Sequence, residues 1–244
     1  MESIKNNSNT KLIAHRGLSS VYLENTVPAF VLAGKTKFVD AIECDINFTS
    51  DNNIVVFHDK TLKRLNGNKV FISKTPLFVL LKYKLFDKRD GVIDKGYSIC
   101  RFSKYIKICK KYKKTAVIEI KTNANQSQLN LFINKLIKYK YYKNVIIISA
   151  YQKVLLYLRK KLPYTKMQLI VSSPVGNKLN FCLKNKFDLS IYHKILKKET
   201  VSIFHKYNLQ VSVWTVNNLE LIKKYLSLKV DYITSDYPFN LKSL

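Results

Sequence analysis

Residues 116–149 read AVIEIKTNANQSQLNLFINKLIKYKYYKNVIIIS, and this stretch decides the fold. Two runs rich in β-branched residues, Ala116–Lys121 and Val145–Ser149, flank a segment with helical periodicity. Over Ser127–Tyr141, the apolar Leu129, Phe132, Ile133, Leu136 and Ile137 fall on one stripe. Strand, helix and strand in that order make a parallel βαβ unit, because parallel neighbours need a long crossover between them.

The alternation continues on both sides. Strand-like runs lie at Leu12–His15, Asp40–Asn47, Met167–Ser172, Phe187–Ile191, Leu209–Val216 and Val230–Thr234. Helical segments lie at Thr26–Thr36, Phe102–Tyr112, Gln152–Leu162, Gly176–Lys186, Lys198–Tyr207 and Asn217–Leu228. Eight strands in 244 residues is the count of an α/β TIM barrel. A doubly wound open sheet is the other architecture this pattern allows. One stretch breaks the rhythm: residues 48–100 hold a further strand-like run, Asn53–His58, and an apolar patch, Leu77–Leu85. A long βα connection belongs to the C-terminal face of a barrel, where chemistry is carried. The expectation is one domain over residues 10–244, with 48–100 as a small insertion subdomain after strand two and a free tail at residues 1–9.

Polar residues collect where a barrel presents its catalytic groups, at the C-terminal strand ends. Strand one ends in His15-Arg16-Gly17. Strand two carries Glu43 and Asp45, two apart and so on one face. Strand three ends in Glu119-Ile120-Lys121, and the run in the insertion ends in His58-Asp59. Strand seven ends in Trp214-Thr215, followed by Asn217, and strand eight in Ser235-Asp236. Only 16 residues are acidic, so three carboxylates inside apolar strands mark a site. Converging carboxylates repel one another and take up protons or a cation. Oxygen donors alone select a hard divalent ion, Mg²⁺ or Ca²⁺, over zinc. Arg16 and Lys121 beside that ion form a cradle for a phosphate. His15 and His58 titrate near neutrality and suit paired acid–base work. These groups together point to cleavage of a phosphodiester. Trp214 reads equally as core or as substrate wall; His193 reads as structural and His205 as a surface residue.

Composition bounds the class. With 47% hydrophobic and 12% aromatic residues the chain is globular, not disordered. No apolar run approaches the roughly 20 residues of a membrane span, and the polar N-terminus lacks the apolar segment of a signal peptide. A soluble, cytoplasmic protein is expected, with a position peripheral to a membrane left open. Lys and Arg number 43, giving a formal charge of +27. Such a charge invites nucleic acid or another anionic partner. Yet only five of the basic residues are Arg, the residue that forks onto guanine and phosphate. Lys, Asn, Ile and Tyr abound while Ala, Gly and Arg are scarce, as A/T-rich coding produces. No specific nucleic-acid partner is expected; an anionic membrane surface is the partner this charge would serve. Cys44, Cys100, Cys109 and Cys182 lack the paired short spacings of a zinc site and read as reduced, buried thiols.

Seven short motifs stand in a fixed order: Ala14-His15-Arg16-Gly17; Glu24-Asn25-Thr26 with Ala29-Phe30; Ile42-Glu43-Cys44-Asp45; Val55-Val56-Phe57-His58-Asp59, then Thr61-Leu62 and Arg64; Glu119-Ile120-Lys121; Val213-Trp214-Thr215-Val216-Asn217; and Asp231-Tyr232-Ile233-Thr234-Ser235-Asp236-Tyr237-Pro238. On these, the chain resembles the glycerophosphodiester phosphodiesterase family from Leu12 almost to its C-terminus. The resemblance implies a TIM barrel with a subdomain inserted after strand two. It implies a divalent metal on Glu43, Asp45 and Glu119, catalytic histidines at His15 and His58, and phosphate contacts at Arg16 and Lys121. Trp214 and Asn217 join these as expected substrate-binding residues. The implied reaction is hydrolysis of a small glycerophosphodiester to sn-glycerol 3-phosphate and an alcohol. Lysophospholipase D-type hydrolysis and action on a glycerol-phosphate polymer are the alternatives within catalysis, and a basic nucleic-acid-binding protein is the reading from another class. The chain departs from the family pattern at Leu23, where Pro is usual, and at Lys229 and Tyr232, where Gly is usual. It also has Asp51-Asn52-Asn53 for an Asp-Gly turn, a change Asn tolerates because it enters the left-handed region readily. None of these removes a catalytic group.

Overall fold

The computed structural model describes residues 9–87, 96–173 and 176–244; the expected tail over residues 1–8, and residues 88–95 of the expected insertion, lie outside them. β1 (Lys11–Ala14) leads through α1 (Val27–Lys35) to β2 (Ala41–Phe48). The insertion follows with β3 (Ile54–Val56), α2 (Lys63–Asn66), α3 (Leu77–Leu80), β4 (Lys84–Leu85), β5 (Tyr97–Ser98) and β6 (Cys100–Arg101). Then come α4 (Phe102–Lys111), β7 (Thr115–Ile120), α5 (Gln126–Lys138), β8 (Val145–Ser149) and α6 (Gln152–Lys161). β9 (Lys166–Val171), α7 (Lys178–Asn185), β10 (Asp188–Tyr192), α8 (Lys198–Lys206), β11 (Val211–Trp214), α9 (Leu219–Ser227) and β12 (Tyr232–Ser235) complete the alternation. β1, β2 and β7 to β12 pair in parallel, and β1 bonds to both β2 and β12. The sheet is therefore a closed eight-stranded TIM barrel, not an open sheet.

The period of two in each strand separates two cores. From β2, Ile42, Cys44 and Ile46 face the helices and join Phe30, Tyr105 and Phe132 in the main hydrophobic core. Ala41 faces inward, with Ile13, Val117, Ile146, Ile148 and Tyr232. The strand registers sort the inward residues into layers of four drawn from alternate strands, as a sheared barrel requires. His15, Glu119, Ile170 and Trp214 form one layer; Glu43, Ile148, Ser190 and Thr234 the next below; Ile13, Val117, Gln168 and Ser212 the one beneath.

β2 runs past the barrel rim, and β3 pairs antiparallel to its end, Ile46 opposite Val56 and Phe48 opposite Ile54. The insertion has a small core of its own, formed by Val55, Phe57, Leu62, Leu65, Ile72, Leu80, Leu85 and Ile99 with Leu23. Asn52 takes the left-handed conformation (φ 52°), so the turn survives without glycine.

Helix α5 buries Leu129, Phe132, Ile133 and Leu136, but Ile137 stays 52% exposed. Ile137 lies roughly 80° round from Leu129 on a helix of 3.6 residues per turn, at the margin of the stripe. Past the ends of α4, α5, α7, α8 and α9 the chain turns through left-handed residues, and these are Lys113, Lys140, Lys186, Asn208 and Lys229 rather than glycine. The four cysteines are buried and unpaired. Among the described residues, no helix is long and apolar enough to cross a membrane.

Candidate active site

β2 carries Glu43 and Asp45 on its inward face, and the neighbouring β7 carries Glu119, with Lys121 one step past its end. One carboxylate oxygen from each of Glu43, Asp45 and Glu119 lies within 4.8 Å of the others. The turn after β1 fixes them. Arg16 (φ 55°) and Gly17 (φ 81°) are both left-handed, and a Cβ on Gly17 would stand 2.7 Å from the carbonyl carbon of Ala29, so only glycine fits there. In that turn the backbone N–H of Arg16 donates to Glu43 Oε2 (2.8 Å), while its Nε lies 3.1 Å from Asp45 Oδ2 and its Nη1 donates to Glu24 Oε1 (3.0 Å). Asn25 closes the other side: its Nδ2 donates to Asp45 Oδ2 (2.8 Å) and its Oδ1 accepts the Asp45 N–H (3.2 Å). Lys121 Nζ is 2.8 Å from Glu119 and 3.6 Å from Asp45.

Three acids in one buried space cannot all ionise at ordinary values. Burial raises Glu43 well above the usual carboxylate range, and Asp45 and Glu119 add to the shift. Burial and Asp45 push Glu119 up to about 7. Burial also works against ionising Asp45, but Arg16, Lys121 and His58 outweigh it and hold that carboxyl at about 2. Arg16 and Lys121 thus favour the ionised form most strongly at Asp45. Glu43 Oε1 and Asp45 Oδ1 are buried without a hydrogen-bond partner. Converging carboxylates with orphaned oxygens and no sulfur or imidazole among them fit a hard divalent cation.

The two histidines are built alike. His15 Nδ1 lies 2.7 Å from Asp236 Oδ1, and His58 Nδ1 lies 2.7 Å from Asp59 Oδ1. A carboxylate only accepts, so each Nδ1 carries the proton, leaving Nε2 to exchange one. Burial, with Arg16 and Lys121, holds His58 below its ordinary value despite Asp45 and Asp59. Arg64 ties the two flanks together: it donates from Nε to Asp59 (2.7 Å) and from both Nη atoms to Glu24 (3.0 and 2.6 Å).

His15, Arg16, Glu43, His58, Glu119, Lys121 and Trp214 line one cavity of about 300 Å³ inside the barrel mouth. Trp214 is accordingly a wall of that cavity, packed 5.5 Å from the ring of Tyr192. Arg16 and Lys121, expected as phosphate contacts, are engaged with the carboxylates they neutralise. Asn217 stands apart from this cavity, on the wall of an adjoining groove of about 600 Å³ that shares His15 and Arg16. Its amide holds Asp236, donating from Nδ2 (2.5 Å) and accepting the Asp236 N–H at Oδ1 (2.9 Å). Sequence reasoning assigned no role to Asp59, Asp236, Asn25, Glu24 or Arg64. All five lie in the quoted motifs, Arg64 five residues past Asp59; the pairing of Asp236 with His15 forms only where β12 closes on β1. His193, just past the C-terminal end of β10, edges onto Tyr192 (4.9 Å) and lines neither cavity, and His205 pairs with Asp231 (2.9 Å).

The barrel and the chemistry at its mouth first define a class, the hydrolases of phosphoric diesters. Within it, the sequence model of the glycerophosphoryl diester phosphodiesterase family matches residues 15–239, and the chain belongs to that family. It is 27% identical over 240 residues to a glycerophosphodiester phosphodiesterase of Caldanaerobacter subterraneus subsp. tengcongensis, covering 96% of this chain and 97% of the relative. Its fold is similar to that of an Oleispira antarctica phosphodiesterase solved with the product sn-glycerol-3-phosphate (TM-score 0.83, 22% identity, 96% of this chain and 95% of that one). It is also similar to the Thermotoga maritima glycerophosphodiester phosphodiesterase (TM-score 0.74, 24% identity, 96% of each chain).

Proposed function

We propose that this phosphodiesterase hydrolyses glycerophosphodiesters to sn-glycerol 3-phosphate and an alcohol, with one divalent ion on Glu43, Asp45 and Glu119 and with His15 and His58 as its acid–base pair. The observation that carries this reading is that two carboxylate-backed imidazoles line one cavity together with Glu43 and Glu119, whose carboxylates converge with that of Asp45. The product bound to the Oleispira antarctica enzyme supports the substrate class. When bound, Mg²⁺ or Ca²⁺ supplies positive charge against the charge developing on the phosphoryl oxygens. Arg16 and Lys121 add fixed positive charge on either side of the diester. One imidazole accepts at Nε2 the proton of the attacking hydroxyl or water, and the other donates at Nε2 to the leaving alcohol. Trp214 walls the substrate in, and Asn217 acts on the groove side.

His15→Ala and His58→Ala should each lower kcat for glycerophosphocholine by about 10²–10⁴-fold while leaving circular dichroism unchanged. Near-normal turnover in either variant overturns the assignment. Treatment with a chelator should abolish hydrolysis, and Mg²⁺ or Ca²⁺ should restore it.

A lipid substrate is favoured by one feature. Phe71, Phe78 and Phe86 of the insertion are 38%, 64% and 41% exposed, and Lys74 and Lys82 lie over the first two rings. Exposed aromatics beside lysines suit an anionic membrane surface. Hydrolysis of lysolipid in anionic vesicles at a higher kcat/KM than soluble glycerophosphocholine would select the lysophospholipase D-type reading and a peripheral location.

A further inference from the structure

The floor of the cavity differs from its walls. A barrel interior is ordinarily filled by layers of branched apolar side chains. On the β7–β8 side this chain follows that rule with Val117, Ile146 and Ile148. On the opposite arc only Ile170 of β9 follows it: Gln168, Ser190, Ser212 and Thr234 line the cavity from four consecutive strands, β9 to β12. Ser190 faces Ser212 across β10 and β11. Ser190 and Thr234 share a layer with Glu43, and Gln168 and Ser212 lie in the layer immediately beneath. Gln168 is 1% exposed, and both its Nε2 and its Oε1 are buried without a hydrogen-bond partner. Above the same arc, Trp214 Nε1 is a third buried group without a partner. A primary amide offers two donors and an acceptor, and a protein interior leaves such a group unpaired only where something else completes it.

We infer that this arc is a polyol-binding floor: Gln168, helped by Ser190, Ser212 and Thr234, pairs with the hydroxyl-bearing end of the substrate while its phosphate sits above, toward the carboxylates and the histidines. The inference rests on the proposed reaction and adds a residue that sets specificity. A hydroxyl satisfies both faces of an amide, donating to Oε1 and accepting from Nε2, so two neighbouring hydroxyls match Gln168 and one serine. A ligand with the same phosphate and carbon chain but no hydroxyls leaves those groups unpaired, and a site built to hydrogen-bond a substrate hydroxyl discriminates strongly against such an analogue.

The test compares two ligands that differ only there, glycerol 3-phosphate and n-propyl phosphate, by calorimetry on the Mg²⁺-loaded protein, in wild type and Gln168→Met. Wild type should prefer glycerol 3-phosphate by about tenfold or more. Gln168→Met should bring the two dissociation constants together, weakening glycerol 3-phosphate about tenfold and n-propyl phosphate less than about threefold. KM for glycerophosphocholine should rise with it. The variant removes an unpaired amide, so its Tm should hold or rise; if it fails to fold, Ser212→Ala and Thr234→Val read the same ratio. A preference equal in wild type and variant, or absent from wild type, shows the arc to be a bed for water and overturns the inference. Wild-type protein that cleaves no glycerophosphodiester overturns the proposed reaction as well, whereas cleavage with a ratio indifferent to Gln168 overturns the floor alone.

Discussion

Asp236 illustrates how much a single side chain controls at the mouth. It lies 2.7 Å from His15, accepts from Ser19 (2.8 Å) and from Asn217, and is held at about 2 by those partners against the pull of burial. It is ionised throughout any working pH and fixes the His15 tautomer. Asp236→Asn should lower kcat by about 10²–10⁴-fold with KM within about threefold, and Asp236→Glu should recover part of the loss. A proportional rise in KM would instead place Asp236 on the substrate. Far from the mouth, burial pushes Asp188 up to about 6 from 3.8, although it accepts the Gln210 N–H (2.8 Å). Between those values the folded chain holds a proton that the unfolded chain has lost, so this residue's contribution to stability falls as pH rises from about 4 to 6 and stays low above. Asp188→Asn keeps the acceptor, and should flatten that slope and stabilise the protein at pH 7 by about 1–3 kcal/mol in urea melts. The carboxylates and histidines were legible as residues because they interrupt apolar strands. The partner of His15, 221 positions away, was not, because it is created by β12 closing on β1.

Elements show where composition has overruled local preference. Left-handed residues past a helix end are ordinarily glycine. Here four exposed lysines take that role, in a chain with only 6 glycines. Lys113→Gly, Lys140→Gly and Lys229→Gly should each leave the fold intact and raise stability by about 0.5–1 kcal/mol, read as a shift in Tm. The reverse holds for Gly34 in α1, where a Cβ would meet the Tyr112 ring at 2.3 Å. Gly34→Ala should loosen the packing of α1 against the end of α4 and cost about 1–3 kcal/mol. Strand faces were readable from a period of two, and α5 from its stripe and the Asn125–Gln128 capping box. The short β3 to β6 of the insertion were less so, because strands of two or three residues carry too little periodicity; β3 takes its pairing from the end of β2, β6 from β3, and β4 and β5 pair only with each other.

For the whole molecule, the charge of +27 acts on arrival rather than on the bond being broken. The exposed lysines are spread over helices such as α4, where Lys104, Lys107, Lys110 and Lys111 face solvent. Their summed field should favour the approach of an anionic diester and is screened beyond about a Debye length. Raising salt from about 20 mM to about 300 mM should therefore lower kcat/KM severalfold and leave kcat unchanged; a kcat that falls in parallel would put the effect inside the cavity. Closure of the barrel was open in the sequence, since strand count alone does not separate a ring from an open sheet. The pairing of β1 with both neighbours decides it.

The junction of β2 and β3 has a consequence for descent. His58 follows a segment bonded straight back onto the strand that bears Glu43 and Asp45: Phe57 N–H donates to the Asp45 carbonyl (3.0 Å), and Asn47 Nδ2 donates to the Phe57 carbonyl (2.7 Å). The His58 imidazole thus belongs mechanically to the barrel, while the residues after it fold around their own small core. That outer piece can therefore accept changes of sequence and length that leave in place both the strand bearing Glu43 and Asp45 and the segment that carries His58.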